Sequence, residues 1–149
     1  MYNKSNTRKF DNWNKVKKKV NNKKGVFSFR EKEIWWCHLG HNIGYETYGK
    51  SEFFTRPIII FKKFSSNSFI GIPTSTKIKE GIWYQNFTFS GEKQTALISQ
   101  IKFVDSKRLQ RKLGELTKYD FNKVKSSFEK LFDFKNNHSP KGGDRRVNP

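Results

Sequence analysis

Two neighbouring stretches of the chain gather residues able to do chemistry. Cys37, His38 and His41 form a Cys-His-x-x-His cluster, a pattern that raises the question of a zinc ion. The segment from Gly40 to Thr55 holds three glycines with Tyr45, Glu46, Tyr48 and Glu52, and runs into Arg56. A second, shorter polar loop spans Ser75 to Gly81. A long loop inside a compact domain is usually either functional or disordered. The metal reading is the weaker one. If residues 33–39 form a strand, Cys37 and His38 point to opposite faces, and no fourth ligand is evident because His138 lies far off near the C-terminus. Cys37 then reads as a small core residue, and no metal is expected. There is no P-loop and no Gly-x-Gly-x-x-Gly, so no nucleotide cofactor is expected either. The carboxylates are scattered and form no obvious acid/base pair.

These loops need a scaffold. The chain has 149 residues, 31 Lys+Arg, 13 Asp+Glu and a net charge of +18. That length suits one domain, and 15 Phe, 5 Tyr and 4 Trp are too much aromatic surface to leave in water. A single cysteine excludes an internal disulfide, and the longest apolar run, Ile58 to Phe61, is far too short to cross a membrane. With no apolar stretch at its start, the chain is expected to be cytoplasmic, without membrane attachment. The charge attracts polyanions, nucleic acid above all. It is concentrated at the ends: residues 1–24 read as a basic N-terminal arm, 25–134 as the domain, and 135–149 as a flexible basic tail.

The first nine or so residues are polar with no periodic pattern and are expected to be disordered. Phe10, Trp13, Val16 and Val20 then fall on one helical face among lysines. Strands are expected at 33–39, 57–64, 69–72, 83–89, 95–104 and 111–116, with a hairpin turn over Ser90-Gly91-Glu92-Lys93. Thr117 and Asp120 read as a capping pair that opens a helix whose apolar stripe is Phe121, Val124, Phe128, Leu131 and Phe132. The fold expected is mainly β with flanking helices: a small, strongly bent sheet or barrel of five to six strands between an N-terminal and a C-terminal helix.

Taken in order, EIWWCHLG, NIGYE, GK, TRPIII, IPTST, ALISQIKFVD and KRLQRKLGEL before a helix resemble the PemK/MazF family of toxin endoribonucleases. The resemblance runs from about Glu31 to Leu131, and it is the ordered set rather than any one motif that is specific. It is closest to a divergent branch with an N-terminal helix carrying Phe10, Trp13, Asn14, Lys17 and Lys18. The resemblance implies an SH3-like barrel, usually a homodimer. It also implies metal-independent cleavage of single-stranded RNA through attack of the 2′-OH on its own 3′-phosphate, and a cognate acidic antitoxin as partner.

Residue by residue, Arg56 matches the arginine of the family's Arg-Pro motif, where a fixed guanidinium can neutralise charge that grows on a phosphorane. Ser75 falls where the family has a threonine that donates to a phosphate oxygen, with Thr74 and Thr76 on either side. Gln100 matches, but Ser99 stands where many members carry an acid. Glu46, in the loop before Arg-Pro, is the expected replacement base, ahead of His41 and Glu52. Thr74, Thr76, Lys77, Lys50, Gln100, Tyr45 and Tyr48 are expected to contact RNA, with Phe53 and Phe54 as further stacking candidates. The missing acid leaves one alternative, a catalytically weak or inactive nucleic-acid-binding module on the same fold.

Overall fold

A computed structural model describes residues 4–25 and 27–135, so the expected C-terminal tail lies outside the described residues except for Lys135. The N-terminal helix α1 spans Lys4–Asn21. It begins six residues earlier than Phe10, which corrects the expectation of a disordered start. Its early residues are engaged: Asn6 Oδ1 accepts a hydrogen bond from His41 Nε2 at 2.9 Å. Seven strands follow: β1 Glu33–His38, β2 Thr55–Lys63, β3 Ser68–Ser75, β4 Tyr84–Phe89, β5 Glu92–Leu97, β6 Lys102–Asp105 and β7 Leu109–Glu115. Helix α2, Lys118–Leu131, completes the described chain.

The sheet runs β4-β5-β3-β2-β1-β7, and β6 also pairs with β3. All pairings are antiparallel. The fold is therefore mainly β with two helices. It is a curled sheet rather than a barrel closed by hydrogen bonds, since β4 and β7 end the path. Side chains bring these two strands together. A Cβ on Gly114 of β7 would lie 2.9 Å from the ring of Phe89 of β4, so the ring needs a glycine there.

The apolar run of β2 is buried on both faces. Ile58 and Ile60 join Trp35, Cys37, Phe69, Val104 and Leu109 in one core. Ile59 joins Ile34, Ile72, Phe87 and Ala96 in a second core, against Phe121 and Val124 of α2. Alternation along a strand dictates this split. Each such side chain contributes roughly 1.5–3 kcal/mol on burial. The cap of α2 is as the sequence predicts, with Thr117 Oγ1 accepting from Asp120 N at 3.0 Å. The helix stops at Leu131, and Phe132 is its C-cap rather than part of its stripe.

Two further expectations are corrected. Trp83 lies before β4 and is exposed. The long strand expected over 95–104 is two strands, β5 and β6, separated by a 3₁₀ turn at Ile98–Gln100. Both flank the same edge of β3: Ser75 pairs with Thr95 and Thr74 with Ala96, whereas Gly71 pairs with Lys102 and Ile70 with Phe103. The register advances between the two ladders by the three residues of the turn. Among the described residues the strands number seven rather than five to six for this reason.

Candidate active site

Arg56 owes its position to its strand. It pairs with Cys37 of β1, and the β2–β3 ladder has Ile58 opposite Pro73 and Ile59 opposite Ile72. Continuing that register by two residues sets Arg56 opposite Ser75. Ser75 pairs in turn with Thr95 of β5, and Thr95 with Asn86 of β4. Paired residues share a face, so Arg, Ser, Thr and Asn form a polar row across four strands. Thr95 Oγ1 donates to Asn86 Oδ1 at 2.7 Å and accepts from Lys79 N at 3.2 Å. The inner half of the row is thereby satisfied, and its outer half, Arg56 and Ser75, lines a cleft of about 340 Å³.

The guanidinium is held on two sides. Arg56 Nε donates to the Tyr48 carbonyl at 2.8 Å and Nη1 to the Thr74 carbonyl at 3.0 Å. The Tyr48 ring lies 5.9 Å from its centre. Burial lowers its ionisation from the ordinary arginine value, and Tyr48 opposes that shift. An arginine still keeps its charge at any physiological pH. Three of its five N–H donors are not used in these bonds, and Arg56 lines the cleft. Ser75 Oγ accepts from Lys77 N at 3.1 Å, which leaves its O–H free to donate. A fixed cation beside a free hydroxyl is an arrangement suited to a phosphate.

The cleft includes Lys50, Thr74, Thr76, Arg56 and Ser75 among the residues singled out by sequence. The Thr74 hydroxyl is spent inside the fold, donating to the Pro57 carbonyl at 3.3 Å. Thr76 is exposed. The other candidates stand outside the cleft lining. Tyr48 supports Arg56. Gln100 braces the long loop, with Nε2 donating to Tyr45 O at 3.0 Å and Oε1 accepting from Thr47 N at 3.1 Å. Glu46 Oε2 accepts from Ile43 N at 3.0 Å within the same loop. Tyr45 is 84% exposed at the loop surface, and Lys77 contributes its backbone N–H to Ser75.

Ser99 sits in the 3₁₀ turn, its N–H directed to the Trp83 carbonyl, and does not line the cleft. The carboxylate that does line it is Glu92. In the sequence Glu92 falls inside the Ser90-Gly91-Glu92-Lys93 turn signal, which hides its place at the cleft. That turn consists of Ser90 and Gly91 alone, both at positive φ, a two-residue hairpin of type I′ character. Glu92 is the first residue of β5, opposite Phe89.

The Cys-His-x-x-His cluster disperses. Cys37 is fully buried, and burial, countered in part by Arg108, Lys102 and Lys23, pushes its thiol up to about 12. His38 Nδ1 donates to the Phe53 carbonyl at 2.8 Å, and His41 turns to Asn6. Among the described residues no three His, Cys, Asp or Glu side chains converge on a metal position. No described helix is long and apolar enough to cross a membrane.

The fold is that of the MazF toxins. A MazF from Deinococcus radiodurans superposes with a TM-score of 0.58 at 15% identity, covering 72% of this chain and 98% of that one. An endoribonuclease from a mycobacterial species gives 0.54 at 12% identity, with 72% and 94% covered. A mycobacterial endoribonuclease in complex with its cognate antitoxin gives 0.52 at 15%, with 72% and 97% covered. Comparison with curated proteins finds no match. The family described as PemK-like, MazF-like toxin of type II toxin-antitoxin system matches residues 30–132, and the chain belongs to it.

Proposed function

We propose that this toxin is an endoribonuclease that cleaves single-stranded RNA by making a 2′,3′-cyclic phosphate. One observation carries the reading: Arg56 and Ser75, on two strands, share a face at the cleft of a domain that belongs to this toxin family. The ribose 2′-oxygen attacks the adjacent phosphorus, and the 5′-oxygen of the next nucleotide leaves. Negative charge builds on the non-bridging oxygens, where the Arg56 guanidinium and the Ser75 hydroxyl can donate. The 2′-OH must lose its proton. Glu92, a carboxylate of the cleft lining, is a better acceptor than Glu46, whose carboxylate is occupied by Ile43 N. The leaving oxygen takes a proton from water. Arg56 supplies the positive charge, so cleavage is expected to persist in EDTA.

Lys50, Thr76 and the exposed Tyr45 and Tyr48 fit contacts to flanking phosphates and bases. A disordered acidic antitoxin suits a protein of net charge +18, and a homodimer is the assembly expected. The test is incubation of the purified protein with a long single-stranded RNA in EDTA, with analysis of the new ends. Cleavage that leaves 2′,3′-cyclic phosphates and disappears in Arg56→Ala supports the reading. Intact RNA, or cleavage indifferent to Arg56→Ala, overturns it. Salt-sensitive binding without cleavage would instead favour a nucleic-acid-binding module.

A further inference from the structure

Helix α1 lies outside the residues matched by the toxin family, yet it is built into the body of the protein. Trp13, only 6% exposed, packs 5.7 Å from the ring of Phe54, and the Arg108 guanidinium stands 5.6 Å over its face. The backbone yields to it at Gly40, φ +90°, where a Cβ would come within 2.4 Å of the indole. Gly40 opens the long loop and Phe54 closes it.

A second set of contacts reaches further into the loop. Phe10 meets the His41 ring edge-on at 4.5 Å, and His41 Nε2 donates to Asn6 Oδ1. On its other side His41 lies 6.0 Å from the ring of Tyr48, again edge-on. Tyr48 supplies the carbonyl that receives Arg56 Nε and the ring beside the guanidinium. The loop base is tied by Gly49 N to Gly40 O at 2.8 Å and by the Lys50–Thr55 bridge. Gln100 braces the loop from the β5–β6 turn, and α1 braces it from the opposite end of the sequence.

We propose that α1 is a positioning element for Arg56: Phe10 and Asn6 hold His41, His41 holds Tyr48, and Tyr48 aims the guanidinium into the cleft. The helix thus adds rigidity to the site without touching substrate. Misplacing a reacting group by ~1 Å can cost on the order of 10²-fold in rate, so an indirect support of this kind is kinetically significant. The inference rests on the proposed cleavage only for its kinetic consequence, not for the coupling itself.

The experiment uses the full chain with Asn6→Ala and Phe10→Ala, singly and together. Both residues share the docking face with Trp13 but stay solvent-accessible at its edge, whereas Trp13 is buried and continues to dock the helix, and an unchanged melting temperature verifies the fold. The first readout is exchange of the Arg56 Nε–H with water by NMR, its signal assigned by loss in Arg56→Lys. The double variant is expected to exchange about tenfold faster or more, whereas Phe10→Tyr retains the wild-type rate. The second readout is single-turnover RNA cleavage. The rate is expected to fall about tenfold with the half-saturating enzyme concentration unchanged, and Phe10→Ala adds nothing in an Arg56→Ala background. An unchanged Nε–H exchange rate overturns the proposal. So does a loss of RNA affinity at constant maximal rate, which would make α1 a basic RNA-binding surface instead. A wild-type protein that fails to cleave RNA defeats the proposed function, while the exchange measurement still decides the coupling.

Discussion

Arg56 and Ser75 line one cleft just beyond the last pair of the β2–β3 ladder, Ile58 and Pro73, and Arg56 Nη1 donates to the carbonyl of Thr74, the residue before Ser75. The strands therefore bring a cation beside a hydroxyl that already accepts from Lys77 N. This pair predicts a graded mutational response. Arg56→Ala should lower kcat/KM by about 10²–10³, the usual loss for one transition-state donor. Arg56→Lys should restore little, because an ammonium's donors all radiate from one nitrogen and do not reproduce the planar fork that reaches Tyr48 O and Thr74 O from separate nitrogens. Ser75→Ala should cost less than Arg56→Ala, and Ser75→Thr should remain active. Initial rates on one defined RNA give the ranking, and equal losses for all four variants would contradict it.

Glu92→Gln keeps the size of the side chain and removes the proton acceptor. A positioned base contributes typically ~10²–10⁴ in rate, so a fall of that order is expected in Glu92→Gln. Glu46→Gln should stay within about threefold of wild type, since its carboxylate serves a bond within the loop. The comparison requires both variants to bind RNA like the parent, measured by titration with a non-cleavable 2′-deoxy substrate. A larger loss in Glu46→Gln would move the base into the loop.

How far these residues were legible beforehand depended on the periodicity of each segment. The α2 cap and stripe stand in the sequence as local signals, and so do the continuous apolar runs of β1 and β2. The break between β5 and β6 does not. Ile98 and Ile101 continue an apolar run, and nothing local says that three residues must loop out for the chain to follow the edge of β3. Yet that turn is what brings Gln100 to Thr47 and Tyr45. Glu92 was hidden for a similar reason. Ser-Gly marks a turn, but its length of two residues is fixed by pairing of Phe89 with Glu92, a tertiary fact. Arg56 was legible through the ordered motifs, whereas its supports, Tyr48 O and Thr74 O, are backbone atoms that no side-chain pattern announces.

Cys37 offers a chemical check on the core. Its thiol is fully buried between strands and is pushed up to about 12, chiefly by burial. Thiolate is the reactive form, so the native protein should resist a thiol reagent at pH 8 for as long as it stays folded. Full labelling is expected only in denaturant. Rapid modification of the native protein would mean that the first core opens readily or that the β1 register differs from Cys37 opposite Arg56.

The two histidines of the dispersed cluster predict how acid acts on the fold. Burial lowers the ionisation of His38 below its ordinary value, Lys23 and Arg108 lower it further, and the bond to Phe53 O opposes them. His41 is lowered by burial and then by Lys9. An unfolded histidine titrates near ~6.5. Between that value and the lower folded values, the unfolded chain binds more protons than the native one. Stability therefore rises with pH across this window and falls as the solution is acidified through it. The urea midpoint should be flat from about pH 8 to 7 and should decline below about 6.5. His38→Gln, which retains a donor for Phe53 O, should shrink that decline, and His38→Gln with His41→Gln should shrink it further. The carboxylate of Glu33 belongs to a separate, lower window. Burial disfavours its charge, but Lys112, Trp35 and the Arg30 N–H outweigh burial and hold its ionisation below the ordinary value, so its contribution is lost only in stronger acid. A decline between pH 7 and 5 that both histidine variants leave unchanged would show that neither ring carries it.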